Sequence, residues 1–247
     1  MIKVKRELGY PVLLLDAGNS LFSGTRKDLN AASEGRITVE AMNLMGYDAM
    51  AIGPKDVAAG LELLQARLSE AEFAVVSANL MVSGKLLAQP YVLLEKDGIK
   101  IAIIGLTSPD GQASESVQVL DPLETARQYV EQLRSQVDVV VVLSNLGPSA
   151  EQALADSVPG IDVVVGGGSG SPSRVVTGAK GVALVRAGGL GEYLGVTEIG
   201  LDSENKPLAY SHQSLLLAPN YPDDQEMVQL KQRYQEQYGN QTSTQPE

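Results

Sequence analysis

Four short polar segments of this chain carry the side chains whose types and positions could support chemistry. The amides of Asn19 and Asn145 can hydrogen-bond to neighbouring loops, and they ligate metals only weakly. Lys55 with Asp56 either binds an anion or forms a solvated pair at the start of a helix that opens at Val57, where the carboxylate is favourable. The segments are DAGNS at 16–20, GPKD at 53–56, SNLG at 144–147 and GGGSGS at 166–171.

The glycine-rich segment could hold a phosphate with its backbone N–H groups, and Gly167 and Ser169 are the candidate ligand-binding residues there. It lacks the spacing of a P-loop and the following helix of a dinucleotide fingerprint. The alternative is a flexible loop without a ligand. Asn19 has two alternatives as well, because an asparagine can cap the turn that follows it or contact a ligand. Asn145 is expected to be exposed in a cleft, with its amide bonded to a nearby loop.

Three further polar residues are expected to have structural roles. Asp16 and Asp162 flank strand ends, where carboxylates order loops by accepting backbone hydrogen bonds. His212 is the only histidine and lies in the strand-like segment YSHQS. We expect it to be a surface or packed residue and not a ligand.

Alternating strands and helices bring the four segments to one edge of a sheet. Reactive loops of open α/β sheets lie beyond the carboxyl ends of the strands. The turn signal Asp97-Gly98 predicts a hairpin, and 182–217 alternates in β fashion. The pattern therefore predicts an α/β protein with layered architecture. Strands are predicted at 12–15, 49–52, 73–77, 91–95, 99–105, 137–143 and 161–165, and helices near 39–45, from 61, at 121–134, 150–156 and 223–238.

Composition excludes several classes of function. The 247 residues carry 30 acidic and 19 basic side chains, a net charge of -11 that disfavours nucleic acid as a partner. The absence of cysteine removes disulfides and thiolate chemistry. No stretch reaches the roughly 18–20 apolar residues of a membrane helix. The opening MIKVKRELGYP is too charged for the core of a signal peptide.

Several blocks of the sequence resemble the calcineurin-like metallophosphoesterases, and among them the bacterial 5'-nucleotidase branch. The resemblance covers about residues 8–202 and runs through framework blocks in the family's order. The blocks are LLLDAGN (13–19), GYDAMAIGPKD (46–56), SANL (77–80), VVLSNLG (141–147), VPGIDVVVGGGSGS (158–171) and RAGGLGEYLGVTEIGLD (186–202).

The resemblance implies an α/β/β/α sandwich, in a single domain, and it also implies a changed site. The family uses two divalent metals such as Mn, Zn or Fe, which lie about 3.5–4 Å apart and need carboxylate and imidazole ligands. Amides, a proline, a lysine and glycines occupy the matching positions here, so we expect no catalytic residue, no metal and no cofactor. These degenerate positions are Asn19, Pro54, Lys55, Asn145, Gly168 and Gly170.

The resemblance also sets expectations for the ends of the chain. The family's first strand, which carries two metal ligands, has no counterpart here, because of either a late start or a true loss. The family's carboxyl-terminal substrate domain is expected to have no counterpart here either. We expect a metallophosphoesterase-like domain at 1–217, a linker-like helix at 218–238 and a disordered tail at 239–247. The stripe of Met227, Leu230, Tyr234 and Tyr238 packs on its own domain or docks on a partner domain or protein.

Three functions follow as expectations. The first is a catalytically degenerate 5'-nucleotidase-like domain that serves as a non-catalytic binding or assembly module, periplasmic or at the cell surface by analogy with the family. The second is a divergent phosphoric ester hydrolase whose ligands come partly from residues upstream of Met1. The third is a small-anion or phosphate-binding protein. The sequence leaves the natural ligand and the oligomeric state open.

Overall fold

The computed structural model describes residues 1–22, 28–109, 116–168, 172, 176–178, 181–218 and 221–242. In this part of the chain the strands are β1 (Leu15–Asp16), β2 (Ala49–Ala51), β3 (Ala74–Val76), β4 (Leu80–Val82), β5 (Lys85–Leu86), β6 (Tyr91–Lys96), β7 (Ile99–Leu106), β8 (Val117–Val119), β9 (Val139–Ser144), β10 (Val163–Gly166), β11 (Val176–Thr177), β12 (Ala183–Arg186), β13 (Tyr193–Leu201) and β14 (Pro207–Leu216). The helices are α1 (Ile2–Arg6), α2 (Leu29–Ala32), α3 (Arg36–Met45), α4 (Pro54–Ala58), α5 (Leu61–Glu70), α6 (Pro122–Leu133), α7 (Pro148–Ser157) and α8 (Gln225–Thr242).

Two sheets form the centre of the fold. The larger has the strand order β11-β12-β10-β9-β7-β6, with parallel pairing from β12 to β7 and antiparallel strands at both edges. The second is the parallel sheet β1-β2-β3. The strands β13 and β14 make an antiparallel ribbon, and β5-β4-β8 make a small antiparallel sheet.

Apolar side chains alternate between the two faces of the larger sheet. Ile103 and Val141 face the second sheet and pack in one cluster with Ala51. Their neighbours Ile104 and Val142 point the other way and pack in a cluster with residues of α6 and α7. A third cluster packs α3, α4 and α5 against the far face of β2. The layers therefore run helix, sheet, sheet, helix, which confirms the α/β/β/α sandwich. Strands buried on both faces are expected to be rich in valine and isoleucine, as these are.

Three aspartates join neighbouring parallel strands at their amino ends. Each precedes a strand and donates its backbone N–H, at 2.8–3.0 Å, to the carbonyl of one residue that lies at the start of the neighbouring parallel strand or immediately before it. Its carboxylate then accepts the N–H of that same residue, at 2.7–2.8 Å. This reciprocal pairing fixes the register of the strands. The pairs are Asp48 with Leu14, Asp138 with Lys100 and Asp162 with Val140.

The predicted elements appear with changed limits. The hairpin of β6 and β7 is confirmed. The first strand is shorter than predicted, because only Leu15 and Asp16 pair as a ladder with β2. The helix predicted to open at Val57 begins at Pro54, since proline suits the first helical turn. The patterns do not predict α2 or the small sheet of β4, β5 and β8, whose strands are two or three residues long.

Helix α8 packs against its own domain. Leu230 and Tyr234 are only 4% and 3% exposed. Arg233 bonds to Glu40 of α3 at 2.7 Å, and Lys3 of α1 pairs with Asp224 just before α8 at 2.8 Å. The apolar stripe is therefore used within the chain, and a partner at α8 stays a prediction.

The helix also runs four residues beyond its predicted end at 238, through Thr242, so 239–242 are helical where a disordered tail was expected. Residues 243–247 lie outside the described part. No helix in the described ranges is long and apolar enough to cross a membrane. The domain limits 1–217 and 218–238 stay a prediction.

Candidate functional site

The four polar segments meet at the carboxyl ends of the strands, as the alternation of elements predicts. Asn19 follows β1, Lys55 follows β2, Asn145 follows β9, and Gly167 follows β10. A Cβ atom built on Gly167 would lie 2.8 Å from Asn145 Nδ2, so the glycine permits close approach of these two loops. The segments therefore form one cluster, which draws on both sheets of the sandwich.

A chain of side-chain amide hydrogen bonds runs through the cluster. Asn19 Nδ2 donates to Asn145 Oδ1 at 2.6 Å. Asn145 Nδ2 donates to the carbonyl of Ala17 at 2.8 Å. Asn19 Oδ1 accepts the backbone N–H of Lys55 at 2.8 Å. The two amides thus connect the loops after β1, β2 and β9.

The structure changes two expectations for these asparagines. Asn145 is 7% exposed and so is buried, because the loop after β1 covers it; the expected bond to a nearby loop is present. Asn19 has a left-handed backbone with φ of 65°, as asparagine tolerates in turns. Its side chain bonds to Lys55 across the cluster instead of capping its own turn.

Asp56 is fully buried and is not part of a solvated pair. Its carboxylate accepts the backbone N–H groups of Gly53, Asn19 and Leu21 at 2.8–3.1 Å. No ion pair joins it to Lys55, both residues being in the described part of the chain, and Lys55 is exposed. Burial raises the pKa of Asp56 to about 6, although the three N–H donors act in the opposite direction. Asp56 therefore organises the loops around it.

A buried ion pair lies behind the glycine-rich loop, and the sequence patterns do not single it out. Glu151 of α7 is 1% exposed, pairs with Arg186 at the end of β12, and accepts from Ser144 Oγ at 3.2 Å. Burial raises the pKa of the Glu151 carboxyl despite the guanidinium beside it. Arg186 also donates to the carbonyl of Gly167 at 2.7 Å. An arginine that ends the otherwise apolar run VALVR was the available signal, since a charge beside a buried strand requires a partner.

The glycine loop is engaged within the protein where it is described. Gly167 N donates to the carbonyl of Ser144 at 2.7 Å, so this N–H is not available to a phosphate. Gly168 has a left-handed φ of 75°. The candidate Ser169, and Gly170, which is predicted to be a degenerate position, lie outside the described residues.

The residues assigned structural roles have them. Asp16 accepts the Gly18 N–H at 2.7 Å and orders the turn after β1, and burial raises the pKa of its carboxyl. Asp162 joins β10 to β9, as described above. His212 packs in the ribbon, with Nδ1 2.8 Å from Thr197 Oγ1 and Nε2 3.2 Å from the Arg186 carbonyl. Burial lowers the pKa of its imidazole.

The donor set of the cluster does not fit a pair of divalent ions. Such ions need carboxylates and imidazoles, and the carboxylate of Asp56 is bonded to three backbone N–H groups. The amide oxygens of Asn19 and Asn145 each accept a hydrogen bond already. Lys55 adds a positive charge, which repels cations. Within the described ranges, no three His, Cys, Asp or Glu residues are grouped as a metal site requires.

Comparison with known proteins identifies the fold and its relatives. No protein-family model matches the chain. It is similar to the snake venom 5'-nucleotidase of Gloydius brevicauda, with 30% identity over 246 residues that cover 87% of this chain and 41% of that protein. It is also similar to the crystal structure of a 5'-nucleotidase precursor from Thermus thermophilus, with 30% identity and a TM-score of 0.81 over 97% of this chain and 52% of that chain. A calcineurin-like phosphoesterase from Bacillus subtilis, 22% identical, shares the fold with a TM-score of 0.82 over 98% of this chain and 88% of that chain.

The sandwich and these similarities define a domain of the calcineurin-like metallophosphoesterase class. Within that class the chain is a homologue of the 5'-nucleotidases, and the resemblance seen in its motifs is confirmed. The chain spans 41% of the venom protein and 52% of the Thermus protein. It matches one portion of these longer relatives.

Proposed function

We propose that this domain is a non-catalytic relative of the 5'-nucleotidases, retained as a binding or assembly module. The observation that supports the proposal is the bonding of the loop cluster itself. Its amide oxygens and its buried carboxylate are engaged by donors of the protein, so little capacity is left to hold ions or a phosphoryl group. Phosphoester hydrolysis in a two-metal site depends on those ions to activate water and to stabilise the developing charge.

Elemental analysis and an enzyme assay test the proposal together. The purified protein is dialysed against Mn²⁺ or Zn²⁺, passed through a desalting column and analysed for bound metal. Phosphomonoesterase activity is then measured with a nucleoside monophosphate, and the Thermus thermophilus 5'-nucleotidase serves as the positive control. We expect no stoichiometric metal and no activity above a buffer blank. Near-stoichiometric metal with turnover would overturn the proposal and favour the divergent hydrolase.

We also propose that the domain acts outside the cytoplasm, in the periplasm or at the cell surface. One relative is named as a venom protein and another as a precursor, which supports export of related chains. The absence of cysteine allows folding in an oxidising compartment without disulfides. Fractionation of the source cells with an antibody to this domain tests the proposal, and recovery in the cytosol alone would contradict it.

A further inference from the structure

We infer that Asn19 and Asn145 form an amide clasp, a pair of neutral side chains that joins the two sheets at the loop end of the sandwich. Asn19 follows the edge strand of the smaller sheet, and Asn145 follows a central strand of the larger one. The clasp gives the changed positions a structural role, which goes beyond the absence of catalysis proposed above.

Backbone groups at both ends decide how the two amides are oriented. The backbone N–H of Lys55 donates to Oδ1 of Asn19, which places that oxygen on the side of α4. The Ala17 carbonyl must meet a donor, which fixes Nδ2 of Asn145 on its side. The remaining atoms, Asn19 Nδ2 and Asn145 Oδ1, then face each other as donor and acceptor, at 2.6 Å. With an amide at both positions, Oδ1 and Nδ2 of each side chain have a hydrogen-bond partner.

Burial makes this arrangement demanding. Asn145 is 7% exposed, so water does not readily replace a lost partner. An unsatisfied buried polar group is more costly than a missing bond at the surface. Replacement of Asn145 by aspartate keeps the size of the side chain and places an oxygen against the Ala17 carbonyl. Replacement of Asn19 by aspartate places an oxygen against Asn145 Oδ1.

The clasp also explains how the loops are held together without shared ions. In a two-metal site, ligands from several loops are joined through the metals they bind. Here the loops after β1, β2 and β9 are joined by hydrogen bonds between groups of the protein. The inference concerns cohesion of these loops and does not require that the domain lack activity.

The test uses the near-isosteric variants N19D and N145D, the variants N19A and N145A, and their double mutant. Thermal unfolding is followed at pH 7, and hydrogen exchange is followed at the Lys55 amide. We expect both aspartate variants to unfold several degrees below the wild type. Exchange at Lys55 should be at least tenfold faster in N19A, because its acceptor is gone. The double alanine mutant should lose less stability than the sum of the single mutants, because the two side chains bond to each other.

Asn43 provides the matched control. Its amide also bonds two backbone groups, the carbonyl of Glu70 and the N–H of Glu72, at 2.9 Å each, and it lies on α3 away from the loops. N43A should lower the unfolding temperature without changing exchange at Lys55. Additive losses of stability in the N19A and N145A cycle would overturn the clasp. Stabilisation of the wild type by Mn²⁺ that is absent in N145A would overturn it as well. If neither of these results is found but the protein has phosphatase activity, the proposed function is overturned and the clasp is not.

Discussion

At the scale of single residues, buried polar side chains of the loop cluster bond to backbone groups. Asp56 shows the pattern clearly, because one carboxylate accepts N–H groups from Gly53, Asn19 and Leu21. An aspartate so placed orders two loops at once, but its charge is buried. The desolvation that results has a measurable consequence for stability.

The D56N variant tests this consequence through pH. The pKa of Asp56 is raised from 3.8 to about 6, so its protonated form favours the folded state. The associated stability is present below pH 3.8 and is lost as pH rises through 6. We expect the unfolding free energy of the wild type, relative to that of D56N, to fall by about 2 kcal/mol between about pH 4 and pH 7. Chemical denaturation at several pH values measures it, and a constant difference would contradict the expectation.

At the scale of elements, the ion pair of Glu151 and Arg186 joins the ends of β9, β10 and β12. Glu151 reaches Ser144, and Arg186 reaches the carbonyl of Gly167. The glycine-rich loop is therefore bonded, through the Gly167 carbonyl, to an ion pair that is largely buried. Removal of one partner would leave the other charge buried and unpaired.

The R186M variant keeps an unbranched apolar stem and removes the guanidinium group with its charge. We expect it to lower the unfolding free energy by about 3–5 kcal/mol, because Glu151 loses its partner inside the protein. The exposed pair of Arg127 with Glu124 on α6 gives the control. R127M should change stability by no more than about 1 kcal/mol. Urea denaturation measures the unfolding free energy of both variants. Equal losses would show that the buried ion pair stabilises the fold no more than the exposed one does.

Particular residues show which features of the site and of the elements can be predicted from the sequence. The apolar runs before Asn19 and Asn145 are strong strand signals, so the meeting of their loops follows from the alternation of strands and helices. The burial of Asn145 does not follow, because it depends on a loop more than a hundred residues away along the chain. For Asp56 the sequence predicts either a carboxylate that holds an anion-binding Lys55 or one half of a solvated pair. Its contacts with the N–H groups of Asn19 and Leu21 cannot be predicted, because they form only when the loops after β1 and β2 pack together. Short strands such as β4 and β5 carry too few residues to show a period.

At the scale of the whole molecule, α8 crosses back over the first half of the chain. Tyr234 is 3% exposed, and its ring stacks on Tyr238 with centroids 5.7 Å apart. Arg233 bonds to Glu40 on α3. The last described helix therefore packs against α2 and α3.

The Y234A variant tests how strongly α8 is held. Loss of a buried aromatic ring costs about 3–5 kcal/mol in protein cores, and we expect a decrease near the lower end of that range. Q235A, at an exposed position of the same helix, should change stability by less than about 0.5 kcal/mol. Thermal denaturation followed by circular dichroism measures both. If Y234A matched Q235A, α8 would be only loosely attached.

The reciprocal bonds of Asp48, Asp138 and Asp162 separate the alignment of the strands from the residues of the loop cluster. They lie at the amino ends of the strands, at the far side of the molecule from Asn19 and Asn145. These contacts therefore align the strands at a distance from the loop cluster. Substitutions in the loops at the carboxyl ends of these strands therefore leave the three aspartate contacts at the opposite ends in place, and the strand pairs they join can stay aligned.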